Sequence, residues 1–169
     1  MPEQISSHLR RLELRDAPFM LEWMQDEKLV RDLYTNFRHK TLDDCRQFIE
    51  DSRLSSKSLH LAIVNGKDTY MGTASLKELS PGDHIAEFGI CIRACAQGTG
   101  LSAAAMRELF AYGRQALGLR EIYWCVSCRN ARANHFYQKN GYVTVTQPPE
   151  RLRERYVQFG EGALIWYCA

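Results

Sequence analysis

A short glycine-bearing segment between two apolar runs constrains this chain more than any other feature. Residues 97–102 read Gln-Gly-Thr-Gly-Leu-Ser, after the apolar run Ile85–Ile92 and at the start of the amphipathic run Leu101–Leu117. This pattern predicts a strand, a tight loop and a helix start. The first N–H groups of such a helix lack intrahelical partners, and the helix dipole adds partial positive charge there. The junction is therefore a candidate phosphate site, and its glycines let a ligand approach the backbone.

The two common nucleotide-binding loops do not fit this segment. The chain has no Gly-Lys-Ser or Gly-Lys-Thr sequence, so the lysine of a P-loop is missing. Ala103 stands where a dinucleotide-binding loop would have its third glycine, and the segment lies in the second half of a small chain. Taken alone, the segment fits either an ordinary turn or a phosphate site of another kind.

Composition and charge restrict the class of protein. The 169 residues suit one domain, with 45% hydrophobic and 25% charged residues. A formal net charge of +2 is too small to favour nucleic acid or an anionic membrane surface as a partner. No apolar run approaches the ~20 residues that span a bilayer, and the polar N-terminus lacks the apolar core of a signal peptide. The sequence therefore predicts one cytoplasmic domain over residues 1–169.

The cysteines predict free thiols rather than disulfides or a metal site. Six are present, and disulfides are rare in the cytosol. Cys125 and Cys128 form a C-x-x-C pair, but no second pair of ligands stands at zinc-finger spacing. The pair also ends a predicted strand, whereas a thioredoxin-like pair begins a helix. We therefore expect no bound metal.

Periodicity predicts a mixed α/β sheet. The order is a strand, two helices, three meandering strands, then helix, strand, helix and the last strands. The predicted helices cover residues 17–26, 41–53, 101–117 and 130–139. The predicted strands cover residues 8–14, 59–64, 70–79, 84–92, 121–126, 142–146, 156–159 and 163–168.

A second informative segment begins about thirty residues after the first. Asn130 is a candidate N-cap, and Tyr137 follows two turns later on the same helix face. An amide and a phenol facing one cleft suit an amide-rich ligand and a proton donor. The alternative is a plain cap and a half-buried aromatic residue.

Together, the two segments resemble the GCN5-related N-acetyltransferase (GNAT) superfamily. Residues 97–102 match the family's R/Q-x-x-G-x-G/A loop, except that Ser102 stands where the family prefers Gly or Ala. Residues 10–17 resemble the start of the sequence in the branch of the family that includes ribosomal-protein and spermidine acetyltransferases. The later motif N-x-x-A/S-x-x-x-Y-x-x-x-G-F/Y is matched by Asn130, Ala133, Tyr137, Gly141 and Tyr142.

The resemblance implies a mixed sheet of about seven strands with about four helices, and acetyl-CoA as the acetyl donor. In the family the fourth and fifth strands splay apart around the pantetheine arm. The backbone of Ile90, Cys91 and Ile92 would pair with that arm, which Asn130 would also contact. The pyrophosphate would be held by the backbone of Gln97, Gly98, Thr99, Gly100, Leu101 and Ser102. Dimers are common in the family, so the resemblance also allows a homodimer.

The resemblance also suggests two catalytic residues. An attacking amine must lose a proton, and Glu87 on the strand before the loop is our candidate base, directly or through water. Successive side chains of a strand point to opposite faces, and the sequence alone does not decide whether Glu87 faces the site or the solvent. His84, at the start of the same strand, is the alternative base. Tyr137 would protonate the leaving thiolate.

The acceptor is less defined than the donor. We expect a nucleotide-linked amino sugar, because the candidate lining is both aromatic and basic. Residues 34–51 also resemble, loosely, the corresponding stretch of acetyltransferases that act on such sugars. A protein N-terminal amine and a polyamine are the alternatives, and a polyamine site should show more acidic residues. An acyl-CoA sensor without catalysis, or an interaction module without a cofactor, stays open as a different class. The candidate lining residues are Trp23, Asp32, Tyr34, Asn36, Phe37, Arg38 and Tyr156.

Overall fold

The computed structural model describes residues 1–169, which form seven strands and six α-helices. The strands are β1 Leu9–Arg11, β2 Leu59–Val64, β3 Tyr70–Lys77, β4 Ile85–Ile92, β5 Glu121–Ser127, β6 Val143–Val145 and β7 Leu164–Cys168. The helices are α1 Ala17–Met24, α2 Glu27–Val30, α3 Leu42–Leu54, α4 Leu101–Leu117, α5 Ala131–Lys139 and α6 Glu150–Arg153.

All seven strands form one mixed sheet in the order β1-β2-β3-β4-β5-β7-β6. Every neighbouring pair is antiparallel except β4 and β5. This parallel pair covers only three registered residues, from Ile85 opposite Glu121 to Glu87 opposite Tyr123. Beyond Glu87, β4 stays with β3 while β5 stays with β7, so a gap opens in the middle of the sheet. The predicted mixed sheet with splayed fourth and fifth strands is confirmed.

The two faces of the sheet bury separate cores. Alternate residues of a strand point to opposite faces, and on β2 Leu61 packs in one core while Ala62 packs in the other. Helices α4 and α5 cover the first face, with Met106 and Tyr137 buried there. Helices α1 and α3 cover the second face. The sheet is thus enclosed on both sides, and the β4–β5 gap connects the two faces.

Local signals explain most element boundaries. Thr41 and Asp44 form the expected capping box at α3, where the Asp44 N–H lies 3.2 Å from Thr41 Oγ1. Gly118, with φ of 68°, ends α4.

All six cysteines are free thiols. None of the helices combines the length and apolar character that crossing a bilayer requires.

The predicted strand at residues 156–159 is wrong. These residues belong to a 3-10 turn, Glu154–Phe159, that continues directly from α6. Its aromatic residues are three positions apart, and Tyr156 and Phe159 both turn toward Tyr34 rather than alternating across a sheet. The first strand is also shorter than predicted, because only Leu9–Arg11 pairs with β2.

Candidate active site

A cleft of about 970 Å³ lies where β4 and β5 separate. One end is bordered by the turn before α4 and by the start of α5. The other end is bordered by the segment that follows α1 and by the 3-10 turn at residues 154–159. We call these the turn end and the aromatic end of the cleft.

The turn end is shaped by two glycines in the left-handed region. Gly98 has φ of 75° and Gly100 has φ of 83°, which residues with a Cβ adopt only with strain. A Cβ at either position would meet no atom within 4 Å, so the surface in front of the turn is open. Gly100 is the N-cap of α4 and has no side chain to satisfy the first N–H groups of the helix.

Several N–H groups of this turn have no partner within the protein. Those of Gly98, Gly100, Ser102 and Ala103 make no hydrogen bond, and the first helical bond runs from Ala104 to Gly100. Unpaired N–H groups at the start of a 17-residue helix suit an anion. The turn therefore fits a pyrophosphate group.

An arginine that the sequence analysis missed adds positive charge at this end. Arg132, in the first turn of α5, donates a hydrogen bond to the side chain of Gln97, and both residues line the cleft. Of the six predicted residues of the turn, Thr99 and Leu101 do not line the cleft. The Thr99 hydroxyl instead bonds to the carbonyl of Ala96.

The edge of β4 exposes backbone groups to the gap. The Arg93 N–H donates to the Met71 carbonyl at 2.8 Å, so Arg93 and Met71 form a hydrogen-bonded pair. Such pairs alternate along antiparallel strands. The backbone of Cys91 therefore faces β3, while that of Ile90 and Ile92 faces the gap. The structure thus places two of the three predicted β4 residues, Ile90 and Ile92, where an extended ligand can pair with them.

The start of α5 is fixed by two asparagines. Asn130 caps the helix, accepting a hydrogen bond from the Ala133 N–H at 3.1 Å, and it also lines the cleft. Asn134, which is not among the residues predicted from the sequence, is buried. Its amide donates to the Ser127 carbonyl at 3.0 Å and accepts from the Tyr167 hydroxyl at 2.8 Å. Helix α5 is thereby held against β5 and β7.

Tyr137 lies in the cleft with a free hydroxyl. The residue is 7% exposed, and its hydroxyl makes no hydrogen bond within the protein. Burial raises the pKa of Tyr137 well above that of an ordinary tyrosine, because the charged phenolate is poorly solvated there. The side chain therefore stays a neutral phenol across the physiological pH range, and it can donate a proton.

Glu87 is buried at the aromatic end of the cleft. It is 1% exposed and accepts hydrogen bonds from Arg155 and from the Tyr156 hydroxyl. The Nζ atom of Lys77 lies 3.7 Å from the same carboxylate. The side chain of Glu87 therefore faces the cleft and not the solvent. His84, the alternative base, lies outside the cleft and pairs with the Gly118 carbonyl.

Aromatic rings line the aromatic end of the cleft. The centroid of the Tyr34 ring is 4.1 Å from that of Phe159 and 5.9 Å from that of Tyr156. Of the seven candidate acceptor residues, Asn36 and Arg38 lie outside the cleft. The charged residues at this end include both signs: Asp26, Asp32, Glu87, Lys28, Arg31, Lys77 and Arg155. No group of three or more His, Cys, Asp or Glu side chains is placed to hold a metal ion.

Comparison with known families and structures gives a consistent result. The family model described as acetyltransferase (GNAT) domain matches residues 8–143. No curated protein matches the chain. Spermidine N-acetyltransferase from Vibrio cholerae, solved with CoA and spermine, has a TM-score of 0.78 at 20% identity, over 95% of this chain and 93% of that chain. A structure described as a probable acetyltransferase has a TM-score of 0.77 at 22% identity, over 98% and 94%. These structures share the fold of this chain.

Proposed function

The chain belongs to the GNAT acetyltransferase family, and from this we propose that it moves an acetyl group from acetyl-CoA directly to a primary amine. Residues 1–169 form one catalytic domain in this proposal. The observation that carries it is the turn end of the cleft, where unpaired N–H groups face the same gap as the free edge of β4. A ligand with a pyrophosphate and an extended amide-bearing arm matches both features.

The residues at the turn end would hold the cofactor. The N–H groups of Gly98, Gly100 and Ser102 would bind the pyrophosphate, and Arg132 would add a positive charge beside it. The backbone of Ile90 and Ile92 would pair with the pantetheine arm as an added strand does. Acetyl-CoA supplies a thioester whose carbonyl carbon accepts a nucleophile.

Two side chains would move protons. An alkyl amine has a pKa near 10, so it is mostly protonated at neutral pH and must lose a proton before it attacks. Glu87 would take this proton, directly or through water. Tyr137, held neutral by burial, would give its hydroxyl proton to the leaving thiolate. Neither role requires a metal ligand.

A polyamine is the acceptor class with most support. The structural neighbour from Vibrio cholerae is a spermidine N-acetyltransferase that was solved with CoA and spermine. At the aromatic end, Asp26, Asp32 and Glu87 can attract a cationic amine, and the rings of Tyr34 and Phe159 can face one.

A nucleotide-linked amino sugar, favoured by the sequence analysis, remains the second candidate. Lys77 and Arg155 both contact Glu87, and Arg31 lines the same end of the cleft. Three cations suit an acceptor that carries a phosphate or a carboxylate, whereas they repel a polyamine. The comparisons give the sugar no direct support.

An acceptor screen tests this proposal. Purified protein is mixed with acetyl-CoA and, separately, spermidine, a nucleotide-linked amino sugar or a peptide with a free N-terminus, and thiol release is followed. We expect sustained thiol release with one acceptor class, and we expect that acceptor to be spermidine. Binding of acetyl-CoA without turnover on any amine would identify a sensor, and no binding by calorimetry would refute the cofactor assignment.

A further inference from the structure

Lys77, the last residue of β3, places a primary amine inside the cleft. Its side chain lies over Gly89 of β4, so that a Cβ built on Gly89 would be 3.5 Å from Nζ. Lys77 lines the cleft together with Glu87 and Cys125, and only 28% of its side chain is exposed. The ammonium group therefore lies where β4 and β5 separate, at the acceptor side of the gap.

The Lys77 amine is not held by a hydrogen bond. Glu87, which faces it directly in the β3–β4 register, is 3.7 Å away, beyond hydrogen-bond distance. The carboxylate is instead hydrogen-bonded by Arg155 and Tyr156. A primary amine in the cleft with a carboxylate beside it is the arrangement that an acceptor amine needs.

We propose that Lys77 is a self-acetylation site, modified by acetyl-CoA bound in the same cleft. The inference rests on the proposed function, because it requires the thioester beside β4. The neutral Nζ attacks the acetyl carbonyl carbon, a C–N bond forms and the C–S bond breaks. The proton lost from Nζ passes to Glu87, and the leaving thiolate takes the proton of Tyr137.

The surroundings of Lys77 favour its neutral form. Burial lowers its pKa below that of an ordinary lysine, and the positive charge of Arg155 lowers it further. The nearby carboxylates and thiols act in the opposite direction without reversing this shift: Glu78, Glu87, Cys91 and Cys125. More of the amine is therefore unprotonated at a given pH than at a surface lysine. We expect the rate of modification to rise with pH and to level off below the pH at which surface lysines titrate.

Mass spectrometry of the intact chain and of its peptides tests the inference. The protein is incubated with acetyl-CoA without an acceptor, and the acetylation of Lys77 is compared with that of exposed Lys139 on α5. A positioned base and a bound donor should make Lys77 react at least about 10²-fold faster. Lys77→Arg, which keeps the charge, should remove the fast-forming acetyl group.

Controls separate this inference from the proposed function. Gly100→Val, which blocks the turn, should abolish fast labelling at Lys77 but not slow labelling at Lys139. If the protein binds acetyl-CoA and acetylates an added amine while Lys77 is labelled no faster than Lys139, self-acetylation is refuted and the proposed function stands. If calorimetry shows no binding of acetyl-CoA, both are refuted.

Discussion

The hydroxyl of Tyr156 donates a hydrogen bond to the carboxylate of Glu87, although the two residues are 69 positions apart. Tyr156 is itself packed against Trp166 of β7, with ring centroids 5.6 Å apart, and against Tyr34. This contact ties the 3-10 turn to β4 at the aromatic end of the cleft. It also places a buried carboxylate where an acceptor would enter, which makes Glu87 the first residue to test.

Glu87→Gln should slow acetyl transfer without weakening acetyl-CoA binding. The amide cannot take a proton from the amine, so we expect the turnover number to fall by about 10²–10⁴-fold near neutral pH. Part of the loss should be recovered at high pH, where free amines lose their proton without help. The measurement is turnover against pH, with cofactor affinity determined by calorimetry.

Glu78→Gln is the matched control for this change. Glu78 lies 3.5 Å from the Arg155 guanidinium, but its side chain is 42% exposed and does not line the cleft. It should keep the pH profile of the unmodified protein. An unaltered profile in Glu87→Gln would instead show that another group is the base.

Tyr137→Phe should lower turnover by about 10- to 10²-fold while cofactor affinity stays nearly the same. The thiol of the leaving group has a pKa near 8.5, so the thiolate leaves without much help. The general acid therefore accelerates the reaction less than the general base does. The ring packs against Trp124, with centroids 5.3 Å apart, and phenylalanine keeps that contact. Steady-state kinetics checks the change.

Tyr123→Phe serves as its control, since Tyr123 bonds to Glu121 at the surface and lies outside the cleft. Loss of activity in both variants would point to a general effect on the fold. Full activity in Tyr137→Phe would remove this hydroxyl from the mechanism.

Gly100→Val should abolish acetyl-CoA binding. Valine at φ of 83° costs about 1–3 kcal/mol of folding stability, and its side chain would project in front of the unpaired N–H groups. Gly82→Val is the control, because Gly82 has φ of 91°, equally open surroundings and a position outside the cleft. Calorimetric affinity should be lost only in Gly100→Val, and equal affinities would contradict the role of the turn.

Sequence patterns predicted the parts of the fold that depend on local signals. The glycine turn, the capping box at Thr41 and the amphipathic α4 are determined by a few neighbouring residues, and all three are found. The strand predicted at residues 156–159 failed because the conformation there follows from contacts with Tyr34 and Trp166, which are distant in the sequence.

The same distinction applies to the site. Six of the residues that line the cleft were named from the sequence because they belong to two short motifs: Gln97, Gly98, Gly100, Ser102, Asn130 and Tyr137. Arg132, Lys77 and Arg155 were missed as site residues, because each comes into the cleft only when β3, α5 and the 3-10 turn assemble around it. The roles assigned to Glu87 and Tyr137 stay predictions.

His60 should make the fold less stable in mild acid. Its ring packs against Phe48, its Nδ1 lies 2.7 Å from Ser75 Oγ, and burial, together with the charge of Lys77, lowers its pKa to about 4. In the unfolded chain its pKa is near 6.5, so between about pH 6.5 and 4 the unfolded state binds the extra proton. The contribution of His60 to the free energy of unfolding is therefore fully present above pH 6.5, and about 1–3 kcal/mol of it is lost as the pH drops to 4.

The measurement is urea unfolding at pH 7.0, 6.0, 5.0 and 4.5, at about the same ionic strength throughout. His60→Gln keeps a polar side chain that can bond to Ser75 but does not titrate, so its stability should depend less on pH over this range. His39→Gln, at an exposed position outside the cleft, is the control and should leave the slope unchanged. If His60→Gln and the unmodified protein lose stability in parallel, protonation of His60 does not drive the loss, and carboxylates paired in the fold must account for it.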